Sequence, residues 1–195
     1  MGAAADCEAI GTGFLGQPVN TLTTLAFLLV GALVLTHRKE RVWIGVGLIA
    51  TGVGSFLFHG PMPGGSEWAH DVTLAWLVAL IAGLGTRWEW ASRGPALIGL
   101  GALFWLIPVI ADPTAVALTV LAVVSILVKE RALGTWGPLA LVSAGAVYGR
   151  LGATGGPFCH PEALYQPHGV WHVVAAVAVG WWATAGSRRH STTRR

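Results

Sequence analysis

Charge is what this sequence has least of. Only 11% of its 195 residues are Asp, Glu, Lys or Arg, against about 25% in a soluble globular domain. That is too little to wet the surface of a particle this size, so water is not its main solvent. Scarce charge also removes whole function classes. Disorder needs low hydrophobicity, a coiled coil needs charged heptad flanks, and a nucleic-acid module needs a basic stripe. None is present, and no nucleic-acid partner is expected. Lysine is nearly missing, since Lys39 and Lys129 are the only two and both fall between apolar runs. A retinal protein needs a lysine within a membrane helix for its Schiff base, so that class is excluded too.

What is abundant is apolar: 54% of the residues, with a mean hydropathy of +0.64. A membrane-spanning helix needs about 20 mostly apolar residues. Seven segments meet that description, at 18–36, 42–59, 70–85, 95–111, 114–128, 136–153 and 168–186. The fifth is the shortest, and its connection to the fourth is little more than Asp112 and Pro113. At about 20 residues each, seven spans leave only short loops. The expected architecture is all-α: residues 1–195 form a single seven-transmembrane-helix bundle.

Lysine and arginine orient it. Arg38, Lys39, Arg41, Arg87, Arg93, Lys129, Arg131, Arg188, Arg189, Arg194 and Arg195 follow the odd-numbered segments, and only Arg150, inside the sixth, is left out. The amino terminus is therefore expected outside and the carboxyl terminus in the cytoplasm, in a plasma (inner) membrane of bacterial type. The leader is acidic rather than basic, which reads as a retained first span. Trp43, Trp88, Trp90, Trp136, Trp181 and Trp182 fall at inner ends and Trp68 and Trp171 at outer ones, which fits an interfacial belt.

Polar side chains within spans are expensive and are functional candidates. Of seven histidines, His37 and His190 sit in an inner loop and the tail. The other five, His59, His70, His160, His168 and His172, cluster at the outer ends. His168 and His172 project from one helix face a turn apart, the spacing for two ligands on one metal. Ser55 and His59 share that spacing where Gly60 and Pro61 stop the second segment, and Asp71 opens the third from the same side. Three neutral imidazoles with an open fourth position make the hydrolytic zinc arrangement. His59, His168 and His172 are the expected ligands. His70 is the rival, pointing about a hundred degrees from Asp71 around its helix, and His160 and His70 otherwise take interfacial positions without a ligand. A haem clamped between two segments leaves one histidine of the pair unexplained.

In combination these residues resemble the alkaline ceramidases and the wider group of seven-helix membrane hydrolases that includes the adiponectin and progestin receptors. The resemblance lies in Cys7-Glu8, Pro-Val-Asn-Thr at 18–21, Leu-Ala-Phe at 25–27 and Gly-Ser-Phe-Leu-Phe-His at 54–59. It continues in His-Asp at 70–71, Phe-Cys-His-Pro at 158–161 and His-Gly-Val-Trp-His at 168–172, and so spans nearly the whole chain. It implies a zinc held by His59, His168 and His172 and an activated water attacking the amide carbonyl of a lipid. Asp71 is then the general base that returns its proton to the leaving amine, and Ser55 donates to the oxyanion. Read without the resemblance, Asp71 also suits a helix cap and Ser55 a hydroxyl bonded to its own helix. The resemblance further implies a bond between Cys7 and Cys159, the only cysteines, both on the oxidising side. It implies calcium near the amino terminus as well, but Gln17 stands where a glutamate is expected, and Ala9 and Ile10 offer no side-chain oxygen for so hard a cation. Asp6 and Glu8 then read as exposed acids.

The expected substrate is ceramide or a related acyl amide, arriving laterally through the bilayer at a site near the outer face. Two other readings share the metal: a zinc-stabilised receptor or sensor without turnover, and a lipid esterase or remodelling hydrolase.

Overall fold

A computed structural model describes residues 2–129 and 133–185. Arg131, Arg188, Arg189, His190, Arg194 and Arg195 lie outside the described residues. The described chain is all-helical, without strands. Its helices are α1 (Pro18–Thr23), α2 (Leu25–His37), α3 (Val42–His59), α4 (Ser66–Gly83), α5 (Glu89–Ser92), α6 (Gly94–Leu106), α7 (Ala111–Lys129), α8 (Leu133–Leu151) and α9 (Pro167–Ala185).

Among the described residues, three stretches are long and apolar enough to cross a membrane: Pro18–His37, Lys39–His59 and Pro108–Lys129. The surface agrees with membrane association. Leu29, Ile98, Leu106 and Val109 are each more than 70% exposed, an arrangement that water penalises and a hydrocarbon solvent does not.

Local chemistry explains the breaks. At Thr24 the first stretch tightens between α1 and α2, where the hydroxyls of Thr21, Thr23 and Thr24 bond back to carbonyls of their own turn. Such back-bonding competes with the helical ladder and bends it. The fifth segment departs from expectation. Asp112 and Pro113 do not form the connection but lie in the first turn of α7, which runs 19 residues. A proline there gives up only a donor that has no helical partner, and an acid there meets the positive end of the helix dipole. The connection instead falls at Ile107 and a 3-10 turn, Pro108–Ile110.

The core joins Phe27 and Val34 of α2, Ile44 and Leu48 of α3, Trp76, Leu77 and Leu80 of α4, Ala122 of α7, and Ala175, Ala176 and Trp182 of α9. Trp182 is therefore not a belt residue. It is 6% exposed, with the Arg41 guanidinium 4.6 Å from its ring centroid.

Small residues bring the backbones together. A Cβ on Gly54 of α3 would stand 2.9 Å from the Ala69 carbonyl oxygen of α4, so these two helices, which carry Ser55, His59, His70 and Asp71, pack too closely there for a side chain at Gly54.

Before α1 the chain forms a strap. A 3-10 turn, Ala3–Asp6, leads to Cys7, which is disulfide-bonded to Cys159 in the loop between α8 and α9. Alkylation of the unfolded, unreduced protein is expected to modify neither cysteine, and reduction to expose both, as read by intact mass. Gly54→Ala forces α3 from α4 at a cost of about 1–3 kcal/mol and is expected to lower the melting temperature in detergent. Gly99→Ala in α6, with nothing within 4 Å of its Cβ, is expected to leave it unchanged or raise it.

Candidate metal centre

Helix ends deliver the three histidines. α3 stops at His59 because Gly60 and Pro61 follow, and the Gly60 N–H closes the last turn on the Phe56 carbonyl at 2.8 Å. α9 opens on Pro167, so His168 and His172 occupy its first turns on one face. The rings meet: His59 lies 5.0 Å from His168 and 5.1 Å from His172, centroid to centroid, and His168 lies 4.5 Å from His172. One ring nitrogen from each lies within 4.8 Å of the others.

Hydrogen bonds decide which nitrogen each ring offers. Gln17 is fully buried, and its amide nitrogen donates to the carbonyls of Ala3 and Glu8, both at 2.8 Å. Its Oε1 is therefore the acceptor facing His59 Nδ1 at 2.6 Å, and His59 must donate from Nδ1. His172 Nδ1 faces the Asn20 carbonyl at 3.2 Å and the Thr23 hydroxyl at 3.1 Å. A carbonyl only accepts, so Nδ1 again carries the proton. His168 Nδ1 faces the Asp6 carboxylate at 3.2 Å. Burial pushes the Asp6 carboxyl up to about 6, which still leaves an accepting carboxylate at neutral pH.

A neutral imidazole with its proton on Nδ1 has a bare lone pair on Nε2. All three Nε2 atoms are buried and without a hydrogen-bond partner. Leaving a buried acceptor unsatisfied costs about 1–3 kcal/mol, and the three histidines lie close enough together that they could hold a metal ion. The residues fit a metal ion, and imidazole nitrogens suit the divalent transition series rather than calcium or magnesium. The Nδ1 partners are the outer contacts that orient metal-bound histidines in general.

The other expected residues are not part of the cluster. Ser55 is buried one turn before His59. Asp71 pairs through Oδ1 with His70 Nδ1 at 2.9 Å, not with any of the three converging rings. His70 stacks on Phe58 at 4.8 Å, its ring 6.1 Å from that of His59, and stays outside the cluster. His160 is exposed in the loop before α9.

The acids depart from expectation. Glu8 is 6% exposed, not a surface acid, and its carboxylate accepts from the Val19 and Asn20 amides at 2.8 and 2.7 Å. It caps α1, whose first amides have no helical partner. Asp6 is one-fifth exposed and faces His168. Of the residues considered for calcium, Asp6, Glu8, Gln17 and Asn20, the Glu8 carboxylate accepts from backbone N–H groups, the Gln17 amide donates to the Ala3 and Glu8 carbonyls, and Asp6 faces His168.

Thr23 and the contacts of Gln17, Asp6 and the Asn20 carbonyl with the histidines are not legible in the sequence, because no short spacing announces them. Thr23 and His172 are 149 positions apart, and Gln17 and His59 are 42 apart.

The purified protein is expected to bind one equivalent of zinc or cobalt. His172→Ala is expected to abolish that binding in equilibrium dialysis, whereas His160→Ala leaves it unchanged. No family model, curated protein or solved structure matches this chain, so the reading of the centre rests on its own geometry and on the motifs above.

Proposed function

We propose that the chain is a seven-helix integral membrane protein that uses zinc to hydrolyse a lipid amide of the ceramide type, releasing a fatty acid and a long-chain amino alcohol. The observation that carries this reading is the convergence of three buried histidines whose Nε2 atoms have no hydrogen-bond partner. Three neutral nitrogens with a position left open are the donor set of hydrolytic zinc rather than of a closed structural site. When bound, zinc supplies Lewis acidity, polarising a carbonyl and lowering the pKa of water toward 7.

The chain's own residues divide the remaining work. Asp71 accepts the proton of the attacking water and returns it to the leaving nitrogen. His70 holds Asp71 Oδ1, which leaves Oδ2 for that transfer. Ser55 donates from its hydroxyl to the carbonyl oxygen as charge develops there. The likeness of these motifs to alkaline ceramidases selects an amide over an ester.

Helix length supports six of the seven proposed spans, and the seventh, α6, is a shorter apolar helix of 13 residues. α4, α8 and α9 have 18, 19 and 19 residues, about as long as the hydrocarbon layer requires. In α4 and α9 the polar residues that reduce the apolar character are largely those at one end: Ser66, Glu67, His70, Asp71, His168 and His172. With basic residues between the other helix ends, the amino terminus lies outside and the carboxyl terminus in the cytoplasm of a bacterial-type plasma membrane. The metal centre then lies near the outer face, where an acyl chain enters from the bilayer while the head group stays near water.

Fatty acid release from labelled ceramide is expected and is lost with a chelator. Asp71→Asn is expected to retain zinc while turnover falls by about 10²–10⁴-fold, and His172→Ala to lose both. Release from a phospholipid ester alone would replace the amide reading by the esterase one, and zinc binding without release from either lipid would leave a sensor.

A further inference from the structure

We infer that Asp6 is a positioning residue for the metal centre, held against His168 by an amino-terminal strap that Cys7, Cys159 and Thr154 clamp to the loop leading into α9. This rests on the metal-binding part of the function proposed above. It assigns to the strap a role in that centre beyond covering the outer end of the helices.

Asp6 has no long helix to place it. It ends a four-residue 3-10 turn, Ala3–Asp6, and a turn this short does not fix a side chain unaided. The residues around it are tied down one after another. The Thr154 hydroxyl donates to the Ala4 carbonyl at 2.6 Å, and the Thr154 N–H donates to the Ala5 carbonyl at 2.9 Å. The Cys7 N–H donates to Thr154 Oγ1 at 3.0 Å, Cys7 is bonded to Cys159, and the Ala9 N–H donates to the Pro161 carbonyl at 3.1 Å. Asp6 sits in the middle of these attachments, and its carboxylate is aimed at His168 Nδ1.

The backbone at the clamp carries a cost. Cys7 has φ 71°, a left-handed conformation that side-chain-bearing residues rarely adopt and that persists where the surroundings over-determine it. Here the disulfide and the Thr154 hydrogen bond on the same residue do so. A loop held only to bury its apolar atoms needs neither the unusual backbone nor a carboxylate turned inward.

The chemistry of the contact is specific. A carboxylate on Nδ1 fixes the proton there, keeps the Nε2 lone pair toward the cluster and makes the ring a stronger ligand. His59 receives a neutral amide and His172 a carbonyl, so His168 is the one ring of the three given a charged partner. The strap reaches a second ring as well, because the Gln17 amide that orients His59 is itself held by the strap carbonyls of Ala3 and Glu8.

The test is zinc affinity of the full-length protein in detergent, by competition with a chromophoric chelator, together with the visible spectrum of the cobalt-loaded form. Asp6→Ala is expected to weaken zinc by about 10–100-fold and to shift the cobalt bands. Asp6→Asn, which keeps an accepting oxygen without the charge, is expected to recover part of the loss. Cys7→Ser combined with Cys159→Ser is expected to weaken zinc over the same range. Adding Asp6→Ala to that pair is then expected to cost less than the product of the separate effects, because clamp and carboxylate act as one unit. Wild-type affinity and spectrum in both Asp6 variants overturn the inference, as do effects that simply multiply. Asp6→Asn preserves shape, so it remains informative if Asp6→Ala fails to fold. A wild-type chain that takes up no zinc refutes the metal reading itself, which separates the two failures.

Discussion

Three imidazoles face one another in this protein with no proton between them, and much of the structure around them exists to keep it so. A lone pair buried against other lone pairs is unfavourable, and each ring escapes that fate if it turns over or takes its proton on the other nitrogen. Gln17 Oε1, the Asn20 carbonyl and the Asp6 carboxylate each hold a proton on Nδ1 and block that escape. The amide of Gln17 is in turn locked by two carbonyls that accept from its nitrogen. Each of these partners comes from the first two dozen residues, so the amino-terminal segment is part of the centre as fully as the helices that carry the histidines.

The helices supply the rigidity that this requires. Contacts between α2 and α3 and between α3 and α4 run through glycine: a Cβ on Gly31 would lie 2.9 Å from the Gly45 carbonyl oxygen, and one on Gly45 would lie 3.0 Å from that of Gly31. Lipid does not squeeze helices together as water does, so close van der Waals contact between small residues takes over that part. Bulk is placed where it fills space between helices, as with Trp76, whose buried indole N–H still finds the Ser92 and Arg93 carbonyls at 3.0 and 2.9 Å.

What was legible in the sequence is what depends on neighbours along the chain. His168 and His172 stand one turn apart whatever the rest of the protein does, and Gly60-Pro61 stops a helix by its own stereochemistry, so the expected 42–59 coincides with α3. Local rules also misled where the context reversed their meaning. Asp112 and Pro113 look like a loop, yet they are favourable residues for a first helical turn. Trp182 looks like an interfacial anchor from its place near a helix end, yet it lies in the core beneath Arg41. Glu8 looks like a surface acid and instead caps α1. The Nδ1 partners of the histidines were out of reach because each lies far along the chain from its histidine, and no pattern of spacing encodes a contact across 152 positions.

That separation has a consequence for how the protein comes into being. Asp6, Asn20 and Thr23 meet their partners only once α9, the last of the described helices, has been made, whereas Gln17 meets His59 already in α3. Folding that proceeds from the first residue onward can complete most of the bundle without ever forming the centre. A chain cut short before residue 168 therefore keeps most of the described helices but only His59 of the three converging histidines, so the cluster is complete only once α9 has been made.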